Sequence, residues 1–365
     1  MRRVVGAVAF ASALLMGAVA QPQVRPAQQP YKNVQVLRDL PPNQMTQTMH
    51  LIQGQIGVEC QFCHIWEEWE REDKPMKQVA RRMLAMVASL NKNSFGGAQV
   101  VTCYTCHRGS PTPVSTVILP VPRPPSVDNP PPAPVLPMVD EILRRYVQSL
   151  GGEAAVRKVT TRVVRGKRDI PTGPGGMIPM AADVEMYQKT PNLTLNVYKT
   201  EKFTISDGFD GTAAWSKNIT GNVVTLQSPD QSRTTRGADF YAPLNIAEQY
   251  TRLTVVGIER VNGRDAYVVV GTLAGDTPER LYFDVQNGLL LRRATTLPTG
   301  VGTSPYEVNY EDYRVMKSGA RFPFLIRMNP AGPRTEIPTT STFRVLSVRE
   351  NVALDDALFG RPSAP

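Results

Sequence analysis

Cys60-Gln61-Phe62-Cys63-His64 and Cys103-Tyr104-Thr105-Cys106-His107 are two copies of one five-residue pattern, CxxCH. Two thiols at this spacing can add to the two vinyl groups of one haem, and the imidazole that follows can bind its iron. The pattern uses all four cysteines of the chain and two of its three histidines. The spacing therefore predicts two c-type haems, held covalently by Cys60, Cys63, Cys103 and Cys106, with His64 and His107 as the proximal iron ligands. A disulfide framework is the rival reading of four cysteines, but a histidine directly after each CxxC is not disulfide spacing.

Working outward, residues 1–20 read as a signal peptide. Arg2 and Arg3 precede an apolar run from Val4 to Val19, and Ala18-Val19-Ala20 fits the small-residue rule before a cleavage site. The run is short and broken by Gly and Ser for a membrane span, so the mature chain is expected to carry no transmembrane segment. Export to the periplasm agrees with haem attachment, which takes place outside the cytoplasm; an outer-membrane-associated or extracellular location is compatible too. Residues 21–30 form a short tether.

The chain has 365 residues, 41% of them hydrophobic, which suits more than one ordinary domain. Its formal net charge of +9 falls by two when Arg2 and Arg3 are removed, and the remaining excess favours acidic redox partners. Lysines and arginines are scattered and no recognised module is present, which excludes a nucleic-acid reader. Eleven prolines between Pro111 and Pro137 mark residues 111–137 as an extended, semi-rigid linker. It separates a domain at 31–110 from one at 138–362.

In the first domain, Met45, Met49, Ile52 and Ile56 recur on one helical face that leads into Cys60. A second helix starts near Asp73 and Pro75, carries Met76, Val79, Ala80, Met83, Val87 and Leu90 on one stripe, and stops at Gly96-Gly97 before Cys103. The expected fold is all-α, with the unit of helix, loop and CxxCH repeated. Each iron needs a sixth ligand or an open site. His50 points about 100° off the methionine stripe and reads as an edge residue. The methionines are the better candidates, although such a stripe can equally be core packing.

Residues 49–64 and 81–109, the latter containing Arg81-Arg82-Met83-Leu84-Ala85-Met86 and Val101-Thr102-Cys103-Tyr104-Thr105-Cys106-His107-Arg108-Gly109, resemble haem segments of the cytochrome subunit of photosynthetic reaction centres. The resemblance covers about residues 31–120. It implies axial methionines from the preceding helices, at Met49 and Met83, with Met86 as the competitor for the second. That subunit carries four haems, one of them ligated by a histidine between the second helix and its CxxCH. Here Asn91–Thr102 has no histidine and only two CxxCH sites exist, so service to a reaction centre does not follow.

Beyond the linker, Val139, Ile142, Leu143, Tyr146, Val147 and Leu150 share one helix face, stopped by Gly151-Gly152. Strands are expected at 160–168, 203–206, 223–226, 254–259, 266–271, 280–284, 289–295, 308–315 and 340–349. Asp207-Gly208, Asp210-Gly211, Asn262-Gly263, Asn287-Gly288 and Ser318-Gly319 read as turns between them. The expected product is an α+β domain with an antiparallel, curved sheet. Leu150-Gly151-Gly152-Glu153-Ala154, Phe209-Asp210-Gly211 before Trp215, and Tyr282-Phe283-Asp284 to Gly288-Leu289 resemble the outer-membrane lipoprotein carrier (LolA-like) superfamily. That resemblance implies an open half-barrel whose concave side takes an apolar group, such as a lipid or quinone. Turn chemistry accounts for Asp207 and Asp210, and Trp215 and Tyr241 read as core.

The functional expectation is a dihaem carrier of single electrons between redox proteins, not an enzyme, with a docking or apolar-ligand module at its C-terminal side. The alternatives are a peroxidase-like haem enzyme with one open iron site, and a lipid- or quinone-binding module served by the haems.

Overall fold

The computed structural model describes residues 31–40, 44–66, 68–115, 135–172, 178–218, 221–226, 230–274, 277–299, 302–329 and 340–363. The signal peptide at 1–20, the tether at 21–30 and most of the proline-rich linker lie outside the described residues. Among the described residues no helix is long and apolar enough to cross a membrane.

Four helices build the N-terminal part: α1 (Met45–Ile56), α2 (Cys60–Cys63), α3 (Pro75–Ser94) and α4 (Cys103–His107). Gly57 ends α1 in the left-handed conformation, φ 63°, and its amide bonds back to the Gln53 carbonyl. Pro75 stands in the first turn of α3, where its missing N–H has no cost. Thr102 caps α4 in a reciprocal box with Thr105.

Both long helices form where expected, but their buried faces are not the expected stripes. In α1 the buried residues are Met45, Thr48, Leu51 and Gln55, while Met49, Ile52 and Ile56 are half-buried. In α3 only Lys77, Val87 and Asn91 are buried, and Met76, Met83 and Leu90 are exposed. The two halves interleave: α1 packs on α4, and α3 packs on α2.

The C-terminal part opens with α5 (Val139–Ser149) and α6 (Glu153–Arg157). Six strands follow: β1 (Thr161–Thr172), β2 (Ile178–Lys189), β3 (Leu193–Lys199), β4 (Thr204–Phe209), β5 (Ala214–Lys217) and β6 (Val223–Thr225). After α7 (Asp230–Ala238) come β7 (Arg252–Val261), β8 (Arg264–Thr272), β9 (Glu279–Asp284), β10 (Leu290–Thr299), β11 (Gly302–Val315), β12 (Arg321–Asn329) and β13 (Ser341–Glu350). They form one open sheet in the order β6-β5-β4-β3-β2-β1-β13-β12-β11-β10-β9-β8-β7. Neighbours are antiparallel, and β1 and β13, first and last in the chain, lie side by side with Arg162 opposite Glu350.

The sheet is curved, as the lining of one cavity shows. Arg162 on β1 and Leu281 on β9 both line a space of about 200 Å³, with Tyr146 of α5, Phe240 and Tyr250 over it. Those strands are five steps apart, about 24 Å on a flat sheet, so the intervening strands must bend around the cavity. Bulges at Arg165/Gly166, Val255/Gly257 and Leu290/Arg292 increase the twist. α5 buries Ile142, Tyr146 and Leu150 against Val269, Leu281 and Phe283. Trp215, 1% exposed, donates its indole N–H to the Phe359 carbonyl at 3.2 Å.

Four of the expected turn pairs sit between strands: Asp210-Gly211, Asn262-Gly263, Asn287-Gly288 and Ser318-Gly319. Asp207-Gly208 does not; it lies inside β4. A side chain at Gly208 would meet the Trp215 ring at 2.9 Å and the Thr194 carbonyl at 2.6 Å, so this glycine makes room for Trp215 rather than turning the chain. Asp207 accepts from Asn196 Nδ2 at 2.8 Å, and burial pushes its carboxyl up. Asp210 is a turn residue, accepting from the amides of Thr212 and Ala213.

Candidate functional site

Both CxxCH segments form a short helix, α2 and α4, that presents two cysteines on successive turns with the histidine at its end. All four cysteines are free thiols; Cys103 is buried, Cys60 and Cys63 are half-buried, and Cys106 is exposed. Burial raises the pKa of Cys60, Cys63 and Cys103, with Cys60 adding to the effect on Cys63 and Cys106 to that on Cys103.

The two histidines are held alike. His64 Nδ1 lies 3.1 Å from the Trp69 carbonyl oxygen, and His107 Nδ1 lies 3.0 Å from the Ser110 carbonyl oxygen. A carbonyl can only accept, so each Nδ1 donates, which leaves Nε2 as the ring nitrogen available to a metal. Burial lowers the pKa of His64, the bond to Trp69 opposes this, and Lys77 and Arg81 lower it further. The imidazole is therefore neutral at neutral pH, the state a metal ligand needs.

Side chains outside the motifs hold the backbone around them. Lys77, buried on α3, donates to the Trp69 carbonyl at 2.8 Å and to the Arg71 carbonyl at 2.7 Å, and pairs with Glu72. Arg81 also binds Glu72 and holds its carboxyl down to about 2, against the opposing effect of desolvation. Asn91 braces the backbone that leads into the second motif, not the Ser110 carbonyl itself. Its Nδ2 donates to the Val101 carbonyl at 2.8 Å, and its Oδ1 accepts from the Val100 and Val101 amides at 3.1 and 2.8 Å. Lys77 and Asn91 were not legible as site residues, because a lone Lys or Asn on an amphipathic helix reads as solvent-facing.

Gly57 and Gly109 join the two halves. The Gly109 amide donates to the Gln55 carbonyl at 3.0 Å, and a Cβ at Gly57 would lie 2.0 Å from the Gly109 carbonyl oxygen. The end of the β10–β11 hairpin reaches the same place. A Cβ at Gly302 would stand 3.1 Å from Thr102 Cγ2 and 3.9 Å from Leu51 Cδ2.

Around the motifs the surface is apolar. Phe62, Trp66, Trp69, Met83, Met86, Leu90 and Tyr104 are all exposed, and Trp66 and Trp69 stack edge to face at 5.2 Å. This is a surface a porphyrin could cover, so thiols, free Nε2 atoms and apolar surroundings together fit such a group at each motif. Met49 is half-buried, Met83 is 36% exposed and Met86 44% exposed. His50 is half-buried on α1, and burial lowers its pKa.

Comparison with known proteins bears on this region. Residues 11–126 match the photosynthetic reaction centre cytochrome C subunit family. The reaction centre cytochrome c subunit of Thermochromatium tepidum is 38% identical over 91 residues, 24% of this chain and 22% of that protein. That of Rubrivivax gelatinosus is 37% identical over 101 residues, 27% of each chain. A cytochrome c-554 of Chloroflexus aurantiacus is 33% identical over 85 residues, 22% of this chain and 20% of that protein. The matches thus span about a fifth to a quarter of these cytochromes' length. Among solved structures, a DUF1329 family protein of Desulfovibrio piger covers 61% of this chain and 97% of its own at 14% identity and TM-score 0.43. A LolA superfamily protein of Nitrosomonas europaea covers 61% and 97% at 13% identity and TM-score 0.42.

Proposed function

We propose that residues 31–110 form a dihaem c-type cytochrome domain that passes single electrons between redox proteins. Cys60 and Cys63 would attach one haem and Cys103 and Cys106 the other. His64 and His107 would be the proximal ligands, and Met49 and Met83 the distal ones. A haem iron with two strong axial ligands exchanges one electron without opening a coordination site. The reading rests most on the paired histidines, each with Nδ1 bound to a backbone carbonyl and Nε2 left to donate.

The chain's own part is positional. The Trp69 and Ser110 carbonyls fix tautomer and ring orientation, and Lys77 in turn fixes Trp69. The apolar side chains of α3 and the Trp66–Trp69 pair would exclude water from the iron. Similarity to reaction centre cytochromes supports an electron carrier over an enzyme, and the basic charge favours acidic partners. The linker at 111–137 would carry this domain beside a second one at 138–362. The cavity there would take an apolar ligand such as a lipid or quinone, or serve partner docking, and the periplasm is the expected location.

Optical and spin-resonance spectra of the oxidised protein test the ligation. Low-spin haems with the methionine-to-ferric charge-transfer band are expected. A high-spin haem would overturn the closed-iron carrier in favour of an open, peroxidase-like site.

A further inference from the structure

The cavity in the curved sheet is lined by three arginines, Arg162, Arg293 and Arg321, and by no acidic residue. Two of the three are accounted for. Arg293 pairs with Glu279 at 2.7 Å, and that carboxylate also takes Arg236 and the Tyr250 hydroxyl. Arg321 is exposed and donates to the Ser149 carbonyl at 3.2 Å. Arg162 is different. Its guanidinium lies between the Phe240 and Phe322 rings, 5.0 and 5.1 Å from their centroids, and donates to Gln188 Oε1 at 3.2 Å. Its Nε is fully buried and has no hydrogen-bond partner among the described residues. Glu350 stands opposite in register and its negative charge favours the Arg162 cation, but its two carboxylate oxygens accept from the amide and hydroxyl of Ser318 rather than from the guanidinium.

The Arg162 Nε has no surface open to the cavity, so a ligand would meet the guanidinium at its other nitrogens, where a cationic donor favours an anionic acceptor. Apart from Gln249, whose side-chain amide donates to the Ala242 carbonyl at 3.0 Å, the rest of the lining, including Tyr146, Leu281 and Leu290, is apolar or aromatic. The volume of about 200 Å³ holds about seven water-sized groups. A doubly charged head group would carry excess charge into this apolar space, whereas a single negative charge matches one guanidinium.

We propose that the cavity is a binding site for a monocarboxylate with a short apolar body, its carboxylate held by Arg162 and its body lying against Tyr146, Leu281 and Leu290. This rests on the apolar-ligand reading of the sheet and is independent of the haems. Isothermal titration of the full-length protein with sodium hexanoate, 1-hexanol and hexyl phosphate tests it. Hexanoate should bind at least tenfold tighter than 1-hexanol, and Arg162→Met should abolish that preference while hexanol binding persists. Equal binding of hexanoate and hexanol by the unaltered protein would overturn the role of Arg162 but leave the apolar-ligand reading standing. Binding of neither would overturn both. Tighter binding of hexyl phosphate would replace the carboxylate with a phosphate head group. The comparison on the unaltered protein decides the matter even if the methionine variant fails to fold.

Discussion

Phe283 and Trp215 in the sheet are 0% and 1% exposed, whereas Trp66 and Trp69, close to His64, are 40% and 43% exposed. The same contrast runs through the two regions. The sheet and its helices bury their large apolar side chains in protein-only clusters, such as Ile142 with Leu281 and Phe283, or Leu195 with Trp215 and Phe359. Residues 31–115 bury few, among them Leu40, Met45, Leu51 and Val87, and bury Thr48, Gln55, Lys77 and Asn91 beside them. A twenty-residue helix such as α3 draws its stability mostly from packing an apolar face, yet Met76, Met83, Met86 and Leu90 lie exposed. One region is complete as protein. The other, on the reading proposed here, is completed by covalently held porphyrins, which would cover that face.

The contrast can be broken from either side. The largest effect is expected from Cys103→Ala with Cys106→Ala. The mass should fall by one haem, the helical far-ultraviolet signal should drop, and the melting of the sheet should stay in place; loss of the sheet transition as well would mean the two regions are one cooperative unit. Trp215→Ala should act the opposite way. It removes a buried aromatic and should cost about 3–5 kcal/mol in urea unfolding followed by a sheet signal, leaving the haem absorption unchanged.

Glu279→Gln sharpens the sheet side. The buried carboxylate is held below the usual range although burial opposes this, because Arg293, Tyr250 and Arg236 outweigh it. Its stabilising contribution is therefore present above the unfolded carboxylate value of about 4.3 and lost as pH falls through the lower folded value. The variant should be destabilised by about 3–5 kcal/mol at neutral pH, and thermal melts across acidic pH should show that gap closing. An unchanged gap at low pH would deny Glu279 this role. The smallest effect is expected for Asn91→Ala, which leaves the part-buried Val100 and Val101 amides and the Val101 carbonyl short of a partner. It should cost about 1–3 kcal/mol and perturb the spectrum of the second haem more than the first.

Much of this was legible where one residue type has one physical meaning. Asn262-Gly263 adopts positive φ at both positions, 50° and 82°, and turns β7 into β8 as its residues demand. Helices α1, α3 and α5 form where their apolar period and their Pro and Gly signals place them, although α1 and α3 bury other faces than that period marks. Legibility failed where tertiary context decides. β2 and β12 contain Pro179 and Pro323, and β5 is four residues long; they are strands because their neighbours pair with them on both sides. α7, Asp-Gln-Ser-Arg-Thr-Thr-Arg-Gly-Ala, has no apolar stripe to announce it. At the candidate site the proposed attachment residues stand out in the sequence, because CxxCH is the spacing that covalent haem attachment requires. Lys77, which braces the carbonyl that His64 binds, and Asn91, which holds the backbone entering the second motif, do not, because their roles come from carbonyls and amides that only the folded chain brings to them.

The most direct test is a pyridine haemochrome assay combined with intact mass determination on the protein secreted from cells able to attach haem. The account predicts two covalently bound haems per chain, falling to one when either CxxC pair is replaced by alanines. A chain carrying no covalent haem, or its four cysteines joined as two disulfides, would contradict it.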